Sequence, residues 1–96
     1  MKTRVVHCKK EPYDVYIGRS SNPKDIWGNP FVIGRDGNRD QVIEKYRQYL
    51  LTNHALRARI EELRGKVLGC WCKPNNACHG DVIVEFLENM PEALGD

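Results

Sequence analysis

Two segments of helical period stand between two short β-rich runs, and that order constrains the chain more than any other feature. The first run is Tyr13-Asp14-Val15-Tyr16-Ile17, with Tyr13, Val15 and Ile17 on one face; the second is Lys66-Val67-Leu68-Gly69-Cys70-Trp71-Cys72. A strand followed by a helical crossover and another strand pairs with it in parallel, through a right-handed connection. Within the crossover Val42, Ile43, Tyr46, Tyr49 and Leu50 recur at helical spacing behind an acidic Asp40. Asn53 suits the N-cap of a second helix carrying Leu56, Ile60 and Leu63, which Gly65 closes.

Two further elements complete the pattern. Val5-Val6-His7-Cys8 is a third β-branched run, and the connection over residues 9–12 is short enough for antiparallel pairing with the strand after it. Val82, Ile83, Phe86, Leu87 and Met90 form an amphipathic helix that Pro91 stops, leaving residues 92–96 as a tail expected to fray. The expectation is an α/β fold: a three-stranded mixed sheet in the order β-β-α-α-β-α, with the second and third strands parallel. One domain spans residues 1–96, with about 4–90 as its ordered core. A chain of 96 residues buries about 60–65% of its unfolded surface, enough for one modest core.

Composition excludes several classes. The 15 Lys and Arg residues are scattered among 13 acids, for a net charge of +2, so a nucleic-acid partner is not indicated. No apolar run approaches the ~20 residues that span a bilayer, and the first residues hold no apolar stretch of a signal peptide. The expected compartment is therefore the cytoplasm, where four cysteines read as reduced thiols, metal ligands or catalytic groups rather than a disulfide framework.

The candidate site follows from topology. Ligands of parallel sheets bind outside the carboxyl ends of the strands, which here are Gly18-Arg19 and Cys72-Lys73-Pro74. Arg19 offers a charged fork for an anion, beside a last helix that starts at Cys78-His79-Gly80 with outward amides. Asp81 competes for those same amides. Residues 18–38 form a long loop too apolar to float in water. It carries Asn22 and the block Trp27-Gly28-Asn29-Pro30-Phe31, which reads either as a turn pinned by two aromatic anchors or as an indole face with an amide to read a base edge. Cys78 at a helix start, and Cys72, are the thiols placed for an activated role, with His79 and Asp81 as acid/base candidates. Adjacent Cys78 and His79 are expected to diverge, which makes Cys72 with His79 the favoured pair. Zinc would use Cys70, Cys72, Cys78 and His79, with Cys8 as a substitute ligand, but the C-x-C spacing suits a tetrahedral site poorly and no cofactor is favoured. Cys70 reads as a buried small hydrophobe.

The motifs Ile17-Gly18-Arg19, Trp27-Gly28-Asn29-Pro30-Phe31, Leu63-Arg64-Gly65-Lys66 and Cys70-Trp71-Cys72-Lys73-Pro74 with Cys78-His79-Gly80-Asp81 together resemble the domain of unknown function 4326 family, short proteins of phages and bacteria, from about residue 4 to residue 88. Three residues (Asn75, Asn76 and Ala77) separate Pro74 from Cys78 where the family pattern has two. The resemblance implies no activity. It implies that the segments chosen on physical grounds are shared ones, and it makes a phage origin, and hence a host cytoplasm, the expected setting.

Three functions fit these residues. The favoured one is a binding protein for a phosphorylated or nucleotide-like ligand, such as a host-defence nucleotide signal, held by Arg19, Asn22, Trp27, Gly28, Asn29, Cys72, Cys78 and His79. The second is a nucleotide-processing enzyme using Cys72 or Cys78 with His79. The third is a zinc-stabilised interaction module. Oligomeric state is left open. Elemental analysis of protein purified without chelator is expected to find no stoichiometric zinc; about one zinc per chain, lost together with folding on chelation, would select the third function.

Overall fold

A computed structural model describes residues 2–71 and 76–89. The strands are β1 (Arg4–His7), β2 (Val15–Tyr16) and β3 (Val67–Cys70), and the helices are α1 (Arg39–Thr52), α2 (His54–Arg59) and α3 (His79–Asn89). The sheet order is β1-β3-β2, and both pairings are parallel. The α/β class and the parallel β2–β3 pair are as the sequence predicts. The mixed sheet is not, because β3 lies between β1 and β2 and no antiparallel pair forms among the described residues.

The geometry of the first connection explains the difference. His7 pairs with Cys70, whereas Val15 pairs with Leu68. Residues 8–14 therefore need to run back only about two residues along the strands, roughly 7 Å, while stepping sideways past one strand, roughly 10 Å. Seven residues span that easily without a helix. The link crosses the sheet at Gly69, where a Cβ would sit 2.7 Å from the ring of Tyr13. Asp14 fastens it: its amide donates to the Val67 carbonyl at 2.7 Å and its carboxylate accepts the Val67 amide at 2.8 Å.

The helices start where their caps put them. Asn38 accepts the Gln41 amide at 2.9 Å, and the Gln41 side chain accepts the Asn38 amide at 2.8 Å, a reciprocal capping box. Asn53 accepts the Leu56 amide at 3.1 Å and so begins α2. The helical pattern through Leu63 tightens after Arg59 into a 3₁₀ turn (Ile60–Leu63), and Gly65 leaves it at φ 76°. Tyr46, Leu50, Ile60, Leu63, Leu68 and Ile83 are fully buried in one cluster between helices and sheet. The start of α3 lies directly on the sheet: a Cβ at Gly80 would be 2.7 Å from Ile17 and 3.0 Å from Val5. The Pro91 stop, Met90, the 91–96 tail and the turn at Lys73-Pro74-Asn75 lie outside the described residues. No helix among the described residues is long and apolar enough to cross a membrane.

The crossing at Gly69 makes a testable demand. Gly69→Ala is expected to lose about 1–3 kcal/mol in denaturant unfolding, because the near end of Tyr13 cannot swing away as a flexible tip would. The same substitution made in a Tyr13→Ala background should cost clearly less; equal costs would show that the two positions do not meet.

Candidate functional site

A pocket of about 310 Å3 opens at the carboxyl ends of β2 and β3. Arg19, Asn29, Cys78 and His79 line it, so four of the eight expected ligand-binding residues meet there. Its walls also include Cys70, Tyr16, Phe31, Trp71 and Arg39. Arg39 was not singled out by sequence reasoning. The signal was present in Asn38-x-x-Gln41, which starts α1 at Arg39 and aims this residue at the mouth of α3; its guanidinium donates to the Ala77 carbonyl at 3.1 Å.

Trp27 is not a stacking face. It is 4% exposed and belongs to the core; its carbonyl accepts the hydroxyl of Tyr46 at 2.9 Å. The aromatic residues that line the pocket are instead Tyr16, Phe31 and Trp71. Asn29 is equally committed to the fold. Its Nδ2 donates to the Val42 carbonyl at 3.2 Å and its Oδ1 accepts the Phe31 amide at 2.9 Å, tying the loop to α1. Gly28 lies against the backbone of Gly18 and Arg19, where a Cβ would approach to 3.0 Å. The Trp27-to-Phe31 block thus serves as the bed on which Arg19 rests. Arg19 is held from the other side as well: Trp71 Nε1 donates to the Tyr16 hydroxyl at 2.8 Å, which donates to the Arg19 carbonyl at 3.3 Å. Asn22 is exposed, caps a turn through the Lys24 amide at 2.9 Å, and lies in a separate cleft.

The start of α3 is already occupied. The Asp81 carboxylate accepts the Cys78 amide at 3.0 Å, and the Gly80 amide donates to Cys78 Sγ at 3.3 Å. These amides serve the fold and the sulfur rather than an external phosphate, as the competing role of Asp81 implied.

His79 is 9% exposed, and its Nε2 lies 2.7 Å from the Ile17 carbonyl. A carbonyl only accepts, so Nε2 carries the proton and Nδ1 presents a lone pair. That lone pair faces Cys78 Sγ at 3.6 Å. The expected divergence of the two neighbours does not occur, because the Ile17 contact turns the ring back along the chain. Burial pushes the His79 pKa down and the charge of Arg19 adds to this, against the Ile17 and Trp27 backbone contacts and Asp81. Cys78 Sγ lies 3.1 Å from Cys70 Sγ, both cysteines 1% exposed. Sulfurs bound to one tetrahedral zinc stand about 3.8 Å apart, given bonds of about 2.3 Å. Among the described residues no three His, Cys, Asp or Glu side chains group as a metal site. Cys8 lines a different depression beside Trp71. Cys72 lies outside the described residues.

Fold and site together define a small parallel α/β domain with a cation-bearing pocket at the strand ends. The chain belongs to the family described as Domain of unknown function (DUF4326), whose model matches residues 2–89. It is 39% identical over 86 residues to the uncharacterized protein R718 of Acanthamoeba polyphaga mimivirus, covering 76% of this chain and 65% of that protein. It is 36% identical over 92 residues to an uncharacterized 12.4 kDa protein from the nrdA-td intergenic region of Enterobacteria phage T4, covering 91% and 79%. The chain thus spans about two thirds of the mimiviral relative's length. No solved structure matches the chain.

The neutral, buried His79 has a consequence for stability. Its folded pKa lies below the unfolded value, so the unfolded chain takes up a proton first on acidification. Its contribution is present above the unfolded pKa of about 6.5 and is lost as pH falls through the lower folded value. Urea midpoints measured from pH 7.5 down to pH 5 should therefore fall more steeply in the parent protein than in His79→Gln. Parallel curves would mean that His79 does not titrate on unfolding.

Proposed function

We propose that this protein binds a phosphorylated, nucleotide-like small molecule in the pocket at the carboxyl ends of β2 and β3. The observation that carries this reading is the meeting of Arg19 and Arg39 with the aromatic residues Tyr16, Phe31 and Trp71 in the lining of one concavity. A phosphate suits the planar, charged fork of Arg19, and a base suits the faces of Phe31, Tyr16 and Trp71. About 310 Å3 stands at the lower end of the range for small-molecule sites, roughly 300–1,000 Å3, which favours a mononucleotide over a dinucleotide. Relatives in a phage and a giant virus suit a role in which such a protein sequesters a host-defence nucleotide in the cytoplasm. The contact of Cys78 with His79 Nδ1 favours a second reading, in which the bound nucleotide is processed with Cys78 as nucleophile.

Calorimetric titration of nucleoside mono- and diphosphates, cyclic dinucleotides and ADP-ribose tests both readings, with product analysis of each mixture separating binding from turnover. Arg19→Ala should weaken binding about ten- to a hundredfold, the loss of one charge-assisted contact, with little change in melting temperature because Arg19 is exposed. Phe31→Ala should weaken it as well. Absence of any ligand in this set, or an affinity indifferent to both substitutions, would remove the proposal.

A further inference from the structure

The pocket wall carries a second kind of chemistry that ligand binding does not use. Cys70 ends β3 and Cys78 precedes α3, eight residues apart, yet their sulfurs lie 3.1 Å from each other. Sulfur atoms in ordinary contact stay farther apart than this, and closing the gap to a disulfide needs a movement of about 1 Å. Among the described residues, two polar groups besides Cys70 stand near Cys78 Sγ. The Gly80 amide points a donor at it from 3.3 Å, and His79 Nδ1 offers it a lone pair at 3.6 Å, with the tautomer set by the Ile17 carbonyl. A thiolate here has a hydrogen-bond donor, a neighbouring base for its proton and a second thiol in reach. Both cysteines are buried from bulk solvent, but both line the pocket, so a small oxidant can approach from that side.

We propose that Cys70 and Cys78 are a redox-active dithiol, with Cys78 attacking and Cys70 resolving, that reduces a small peroxide and closes to a disulfide. The Cys78 proton passes to His79 Nδ1, and the sulfur attacks one peroxide oxygen. An S–O bond forms, the O–O bond breaks, and the departing hydroxide takes the proton from the imidazolium to leave as water. Cys70 then attacks the Cys78 sulfur; the S–S bond forms, the S–O bond breaks, and the second hydroxide leaves as water with the Cys70 proton. Two thiols and one hydrogen peroxide give one disulfide and two waters, with two electrons passing from sulfur to peroxide. The proposal shares Cys78 and His79 with the processing reading but needs no bound nucleotide, so peroxide added without nucleotide tests it apart from that reading.

The test is stoichiometric hydrogen peroxide added to the full-length chain, reduced and then freed of reductant. The expected product has lost two hydrogen atoms by intact mass, and titratable thiols fall from four to two. Cleavage after Trp71 separates Cys70 from the fragment holding Cys72 and Cys78, and fragmentation of the cross-linked pair should place the link at Cys78 rather than Cys72. Cys8→Ser and Cys72→Ser should still form this link. Cys70→Ser should stop at a sulfenic acid on Cys78 that dimedone traps, and Cys78→Ser should react about tenfold more slowly or less. Should the Cys78 variant not fold, iodoacetamide labelling of the parent protein decides instead, with Cys78 expected to be alkylated before Cys8. A disulfide containing Cys72, progression to sulfinic acid without any link, or one tightly held zinc shielding these thiols from peroxide would overturn the assignment.

Discussion

A hydrogen bond between residues 62 apart, from His79 Nε2 to the Ile17 carbonyl, joins the end of β2 to the start of α3, and much of the site depends on it. Ile17 is itself placed by the sheet, because its amide donates to the Gly69 carbonyl at 2.9 Å. The bond is buried, so leaving its acceptor without a donor would cost about 1–3 kcal/mol, more than an exposed ion pair returns. By contrast, Arg59 with Glu62 is more than half exposed on both sides and decides little. The same bond decides which imidazole nitrogen is free, and so what Cys78 meets. Structural and chemical roles are carried here by one proton.

The reach of sequence reasoning can be followed element by element. Helical spacing marks α1 and α3, because each buries one face and that burial imposes the spacing, whereas the second helical segment is legible only as far as Arg59, where it tightens into the 3₁₀ turn over Ile60–Leu63. The parallel β2–β3 pair follows from the crossover rule, and the pocket at the strand ends follows from the pair. The place of β1 was not legible in the same way. The short connection over residues 9–12 suggests antiparallel pairing, but β2 has only two paired residues, and a backward step of that size needs no helix. Gly69 was the trace of the true path, visible only once Tyr13 is known to cross it.

The side chains of the site divide along a similar line. Arg19, Cys78 and His79 were found because their positions follow from strand ends and a helix start. Of the two readings open to the Trp27-to-Phe31 block, Trp27 takes the structural one, because a large indole buries too much apolar surface to be left as a platform when a core is adjacent, while Asn29 both ties the loop to α1 and lines the pocket. Arg39 lay hidden because charged residues in a helix's first turn usually face water. Only the capping box, by fixing where α1 begins, brings Arg39 beside Ala77.

This division also says which substitutions can speak about function. Gly28, Trp27 and Asn29 shape the bed beneath Arg19, so their replacement would move Arg19 and unsettle the core at once. Activity lost in such variants would carry no information about ligand contact. Arg19 is exposed, and the chain holds it by its backbone through the Tyr16 hydroxyl and the Gly28 approach. Its guanidinium can be removed while its backbone stays where Trp71, Tyr16 and Gly28 put it. The fold has in effect separated the support of the cation from the cation itself, and that separation is what lets the cation be probed without disturbing the buried residues, Asn29, Cys78 and His79 among them, that share its pocket.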